Sequence, residues 1–191
     1  MDGGHEVNEV FFDDVEVPVE NRVHDEGKGW TVAKYLLGHE RMNTARIGTS
    51  KRELERLKAF AARAAQERQR RSSRIRASAT GCRGVEIELM ALAITNLRFL
   101  DQLRGGRAPG AEVSMLKIKG TEIQQALTEL MLEAGGPARA GARPGRRRHR
   151  CARRRLPAAL APRYCNMRKT TIYAGSNEIQ RNIIAKHALG L

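Results

Sequence analysis

Ile172-Tyr173-Ala174-Gly175-Ser176-Asn177-Glu178-Ile179-Gln180-Arg181-Asn182-Ile183-Ile184 is the stretch from which the fold can be read. Gly175 lets the backbone turn sharply and approach another group closely. Ser176 or Asn177 has the short polar side chain that caps a helix, and Glu178 begins that helix with a favourable negative charge. A helix start of this kind also favours phosphate. A last helix, or a pair of short helices, is therefore expected after Tyr164, ending near His187.

Working outward, three longer helices precede it. The first starts near Trp30 and is expected to run to about Gln69. Val32, Leu36, Ile47, Leu54 and Leu57 fall close to one face at helical spacing. Arg70 to Gly84 is rich in Ser, Arg and Gly and reads as a loop or frayed turn. The second helix covers Val85 to Leu103, with Val85, Leu89, Leu92, Leu97, Leu100 and Leu103 as a wide apolar stripe. Gly105-Gly106, Pro109 and Gly110 end it and turn the chain. The third spans Ala111 to Ala134 with Val113, Leu116, Ile123, Leu127, Leu130 and Met131 inward, and Gly135-Gly136-Pro137 stops it. Upstream, Met1 to Glu20 is strand-like, since Val10, Phe11, Phe12, Val15 and Val17 are β-branched or aromatic and Pro18 closes the run. The class is mainly α: an up-down four-helix bundle over residues 29–191, after a short β remnant and linker over residues 1–28.

The 191 residues carry a formal charge of +14, but unevenly. Eleven Arg and one Lys, with no Asp or Glu, lie between Ala134 and Asn177. The rest, 23 basic against 21 acidic residues, nets only +2. Basicity belongs to one segment, 137–157, whose only large aliphatic residue is Leu156. That composition cannot bury a face and should be disordered or loop-like. An Arg/Ala/Gly/Pro burst of this sort is what a GC-rich gene gives when read out of frame, so two compensating frameshifts are a candidate origin. Pro137 to Arg155 has no aromatic residue for base stacking, which leaves only phosphate attraction. A nucleic-acid partner is not expected, and an anion or nucleic-acid binder working through this segment ranks last among the alternatives. No run of eighteen apolar residues exists, so no membrane span is expected. Cys82, Cys151 and Cys165 are odd in number with no metal-ligand spacing, and His5, His24, His149 and His187 form none either. A reducing compartment, the cytoplasm, is expected, with no disulfide framework.

The Ile172–Ile184 stretch resembles the C-terminal signature of the acyl-CoA dehydrogenases. Those enzymes use FAD to remove two hydrogens from the α and β carbons of an acyl thioester. Asn8 to Pro18 resembles the last strand of that family's middle β-domain. The resemblance fails at Pro137 and resumes at Leu160-Ala-Pro-Arg-Tyr164. It reaches only about the C-terminal half of a family member, which implies a truncated chain, inactive alone. A complete member is expected to take acyl-CoA, to pass electrons to an electron-transfer flavoprotein and to form homodimers or homotetramers.

The resemblance also assigns site residues. The position between Tyr and Gly, where many members carry the catalytic glutamate, is Ala174. Another branch places its base on the first helix, followed by Arg, which here is Glu40-Arg41. Glu40 lies four residues after Leu36 and seven before Ile47, on or beside the predicted apolar stripe, where a charge needs a partner or a task. A plain Glu40–Arg41 pair is the bland alternative. The resemblance gives Arg41 an electrostatic ordering role. It gives the Ala174 backbone N–H the hydrogen bond to the thioester carbonyl, which stabilises developing enolate charge. Gly175, Ser176, Asn177 and Glu178 match positions lining FAD. Gly135 and Gly136 match a pair near the FAD adenine, or form a simple helix C-cap. Leu132 stands where Gln is frequent, and no Arg-x-x-Phe-Gly segment follows Leu57. Those departures, with Ala174, fit equally a non-catalytic subunit of a heteromeric dehydrogenase.

Overall fold

In the computed structural model the described residues are residue 5 and residues 7–40, 42–67, 72–107, 110–135 and 160–191. Arg41, Gly136 and the Arg-rich segment 137–157 lie outside them. The elements in order are α1 (Gly29–Glu40), α2 (Ile47–Glu67), α3 (Ser72–Arg104), α4 (Ser114–Gly135), α5 (Leu160–Met167) and α6 (Asn177–Ala188), with 3-10 turns at Val19–Asn21, Asn43–Ala45, Ala111–Val113 and Arg168–Thr171. The chain is mainly helical, as its periodicity predicts. α2, α3 and α4 pack against one another, and α5 and α6 both close on α4. Short connections make the long neighbours antiparallel.

The core is aliphatic and continuous. Leu54 and Leu57 of α2, Leu89 and Leu92 of α3, and Leu116, Ile123 and Leu127 of α4 are all buried. Their spacing is one helix face per element, so each helix exists because its neighbours cover that face.

Three expectations are corrected. The first predicted helix is two. Arg46 adopts φ 46° and ψ 41°, a left-handed conformation that no α-helix continues through, and its N–H donates to Asn43 O. Asn43, Thr44 and Gly48 favour such an interruption over a straight helix. As a result Leu36 and Glu40 do not share the buried face of Leu54 and Leu57: Leu36 is 55% exposed and Glu40 is exposed. The predicted loop at Arg70 to Gly84 is helical from Ser72, since α3 is 33 residues long. Ser, Arg and Ala cost little inside a helix already held downstream, and Gly81 lets α3 meet Leu130 closely. Finally, no strand is present among the described residues. Val10, Phe11 and Phe12 are each at least 70% exposed. A strand needs a ladder partner, and nothing described pairs with this segment.

One charged tie joins α5 to α2. Glu53 is buried, with Arg163 Nη1 2.9 Å from Oε2 and Arg56 Nη1 3.2 Å from Oε1. Burial acts to raise the Glu53 carboxyl, but Arg163 and then Arg56 outweigh it and hold the group below its ordinary value of 4.5. A lowered folded-state value means stability that is complete above the unfolded value and lost as pH falls through the folded one. Thermal stability is therefore expected to decline below about pH 4.5, and Glu53→Gln to flatten that decline. At neutral pH the variant should cost about 2 kcal/mol, less than a fully buried pair because both arginines reach solvent. A Tm–pH series on the two proteins checks this; parallel curves would remove Glu53 from the explanation.

Candidate active site

α4 carries a polar row inside its apolar packing: Lys117, Thr121, Gln125 and Thr128. Steps of four, four and three keep these residues on one face. That face receives the end of the chain. Lys117 is buried, and its Nζ donates to Thr170 O at 2.8 Å and to Asn177 Oδ1 at 3.1 Å. Asn177 Nδ2 donates to Thr121 Oγ1 at 3.1 Å, and that hydroxyl donates to Lys117 O at 2.9 Å. Gln125 Nε2 donates to Arg168 O at 3.2 Å, and Arg168 Nη2 returns a bond to Gln125 O at 3.0 Å. The Arg168 guanidinium also lies over the Tyr164 ring, 4.3 Å from its centroid. Burial pushes the Lys117 ammonium below its ordinary value, with Glu178 acting in the opposite sense. An ammonium kept in such a place needs its acceptors, so Thr170 and Asn177 are held firmly.

Thr170 and Asn177 are the two shoulders of the Ile172–Ser176 turn. Between them Ala174 has φ +55° and Gly175 φ +77°, two successive left-handed residues. The conformation suits glycine and costs an alanine roughly 1 kcal/mol. Ala174 and Gly175 are exposed. Among the described residues the Ala174 N–H donates to nothing. Ser176 is the N-cap of α6, its hydroxyl accepting from Ile179 N at 3.4 Å. Glu178 then opens the helix, and its carboxyl is held below the ordinary value by its own backbone N–H first and by Ser176 second. The turn thus offers open backbone donors beside the positive end of a helix.

The same turn of α4 holds a second element. A Cβ on Gly120 would lie 2.7 Å from Ala45 Cα and 2.8 Å from Ala45 O, so the Asn43–Ala45 turn rests directly on α4 backbone. That turn follows Glu40, the last residue of α1. Lys117, Gly120 and Thr121 span about 6 Å of helix axis. One helical turn therefore anchors both the chain just after Glu40 and the Ala174 loop.

Of the residues singled out from sequence, Ala174, Gly175, Ser176, Asn177 and Glu178 come together in one place. Asn177 is 3% exposed, its side chain taken up by Lys117 and Thr121. Gly135 is buried at the far end of α4, about 21 Å along the axis from Thr121, and does not join them. Lys117, Thr121 and Gln125 were missed. Their four-residue spacing in an apolar helix was the available signal. Among the described residues no group of His, Cys, Asp and Glu could hold a metal ion.

A profile of the family described as "Acyl-CoA dehydrogenase, C-terminal domain" matches residues 27–189. The chain belongs to the acyl-CoA dehydrogenase family. It is 33% identical over 197 residues to acyl-CoA dehydrogenase IpdE1 of Mycobacterium tuberculosis, a match that covers 99% of this chain and 45% of that protein. Acyl-CoA dehydrogenase FadE26 of the same organism is 28% identical over 199 residues, covering 98% of this chain and 46% of its own. The chain thus spans about half the length of these relatives. Among solved structures, the Tcur3481-Tcur3483 steroid ACAD superposes with a TM-score of 0.70 at 22% identity, over 95% of this chain and 44% of that one. A variant of it gives a TM-score of 0.68 over the same share of this chain. The fold is that of the acyl-CoA dehydrogenase C-terminal helical domain.

Proposed function

We propose that this chain forms the C-terminal half of a flavin-dependent acyl-CoA dehydrogenase. The carrying observation is the Ala174–Gly175 turn: two left-handed residues with an open N–H, clamped by Lys117 and Thr121 and followed at once by a capped helix. Bound FAD would accept the hydride leaving the β carbon. Gly175, Ser176 and the start of α6, including Glu178, would lie along it. Asn177 would serve by fixing that edge to α4. The Ala174 N–H would hold the thioester oxygen as negative charge builds there. Glu40 would take the α proton, with Arg41 beside it, and Gly135 and Gly136 would border the adenine end. The exposed apolar residues of α1, Trp30, Leu36 and Leu37, suit cover by the regions the relatives have and this chain does not match. Such cover would give a carboxylate base its apolar surroundings. An electron-transfer flavoprotein would reoxidise the flavin. The steroid named for the structural neighbours makes a steroid-derived acyl-CoA the substrate class to test first.

The test joins this chain to the part of IpdE1 that it does not match. FAD retention and acyl-CoA-dependent reduction of a dye are then measured. Both are expected. A folded, flavin-free product would sink the reading.

The name of the structural neighbour joins two components, and Ala174 replaces a glutamate. Together these favour a second reading, in which the chain is one subunit of a heteromeric dehydrogenase. It would then restore activity when mixed with a separate flavin-bearing chain, and Glu40→Gln would leave that activity intact.

A further inference from the structure

The turn that presents Ala174 is tied at its shoulders and bare at its apex. Thr170 and Asn177 are bonded to Lys117. Between them the last backbone bond runs from Tyr173 N to Lys169 O at 3.1 Å. The N–H groups of Ala174, Gly175 and Ser176 reach no acceptor among the described residues. Ala174 and Gly175 are left-handed, a conformation that an alanine leaves readily unless its surroundings hold it. One side chain reaches this apex. Gln180 belongs to α6, four residues after the Ser176 cap, and its backbone N–H donates to Ser176 O at 3.0 Å. Helical side chains lean toward the N-terminus of their helix, which carries this one back onto the turn. Gln180 is 8% exposed, and its Nε2 stands 2.6 Å from where a Cβ on Gly175 would be. Its amide makes no hydrogen bond among the described residues. What it supplies there is therefore contact: it fills the volume that the glycine leaves empty.

We infer that Gln180 is a positioning residue, whose amide braces Gly175 from the α6 side and so fixes the direction of the open Ala174 N–H. Lys117 and Thr121 locate the ends of the turn, and Gln180 locates its middle. Without the amide a hollow opens beside Gly175, into which a glycine can swing at little cost. A catalytic donor displaced by about 1 Å can lose on the order of a hundredfold in rate. That consequence for catalysis rests on the flavin-dependent reading proposed above. The brace itself does not, and it is measured without flavin.

The test is nitrogen-15 relaxation of the 191-residue chain, read at Ala174 and Gly175, with far-ultraviolet circular dichroism to confirm folding. Order parameters of about 0.85 are expected in the parent and below about 0.6 in Gln180→Ala, with Thr170 and Asn177 unmoved. Gln180→Met keeps the length and bulk without the amide and should restore the parent values. If Gln180→Ala does not fold, Gln180→Asn, one methylene shorter, removes the contact more gently and should loosen the turn. In the joined protein of the flavin test, Gln180→Ala should lower kcat by about tenfold with KM and FAD content little changed, and Gln180→Met should restore it. A turn that is mobile in the parent, or equally rigid in Gln180→Ala, overturns the brace. So does a Gln180→Met turn as loose as that of Gln180→Ala. A loosened turn with kcat unchanged overturns the positioning role. A braced turn in a joined protein that holds no flavin would instead sink the flavin reading and leave the brace standing.

Discussion

Glu40→Gln, introduced into the dehydrogenase proposed for this chain, is expected to slow acyl-CoA oxidation by about a thousandfold, the scale of a lost general base. The amide keeps the size and hydrogen-bonding reach of the carboxylate but cannot accept the α proton. FAD content and acyl-CoA binding should stay as they were, because Glu40 ends α1 and the groups proposed to line the flavin belong to the Ala174 turn instead. Anaerobic flavin reduction on mixing with acyl-CoA reads the chemical step directly. Solvent deuterium exchange at the α carbon reads proton removal separately. Loss of both, with flavin retained, is the expected pattern. Reduction at the parent rate would take the base away from Glu40 and return the heteromeric reading to the front.

Gly120→Val is expected to cost about 3 kcal/mol of stability, at the upper end for overpacked sites. The obstacle is backbone. A Cβ there meets Ala45 Cα at 2.7 Å, and neither chain can yield by changing a rotamer. Either α4 moves away from α2 and α3 or the Asn43–Ala45 turn lifts off it. The second route also shifts the end of α1, so activity should fall further than stability alone explains. Gly84→Ala is the control: nothing lies within 4 Å of its added Cβ, and a helix-interior glycine replaced by alanine gains about 0.5–1 kcal/mol. Denaturant melts of the two variants give opposite signs under this account. Equal, small losses would show that the Ala45 contact relaxes freely.

The contrast between those glycines was invisible in the sequence, which prints both as a glycine in a helical pattern. What was legible depended on local periodicity. The α4 stripe and the Ser176 cap of α6 both follow from spacings within one element, and the structure has them. The break at Arg46 does not follow, because a single left-handed residue is decided by what the flanking turn rests on, here the α4 backbone at Gly120. Val10 to Val17 has a strand's composition but no ladder partner among the described residues. The Arg70 to Gly84 reading failed because weak helix formers become helical when Val85 and Leu89 fix the register beyond them. At the candidate site, the turn at Gly175 and the helix start at Glu178 follow from the motif as geometry. Lys117 was passed over, since a lysine in a helix is ordinarily a solvated charge and only the burial of its neighbours shows otherwise.

The tie between Glu53 and Arg163 has a practical side. Leu160 is buried at the start of α5 and Gly135 near the end of α4, and Arg163 of α5 grips Glu53 of α2 directly. A chain cut between Gly135 and Leu160 is accordingly expected to keep its second piece, because α5 carries its own charged hold on α2.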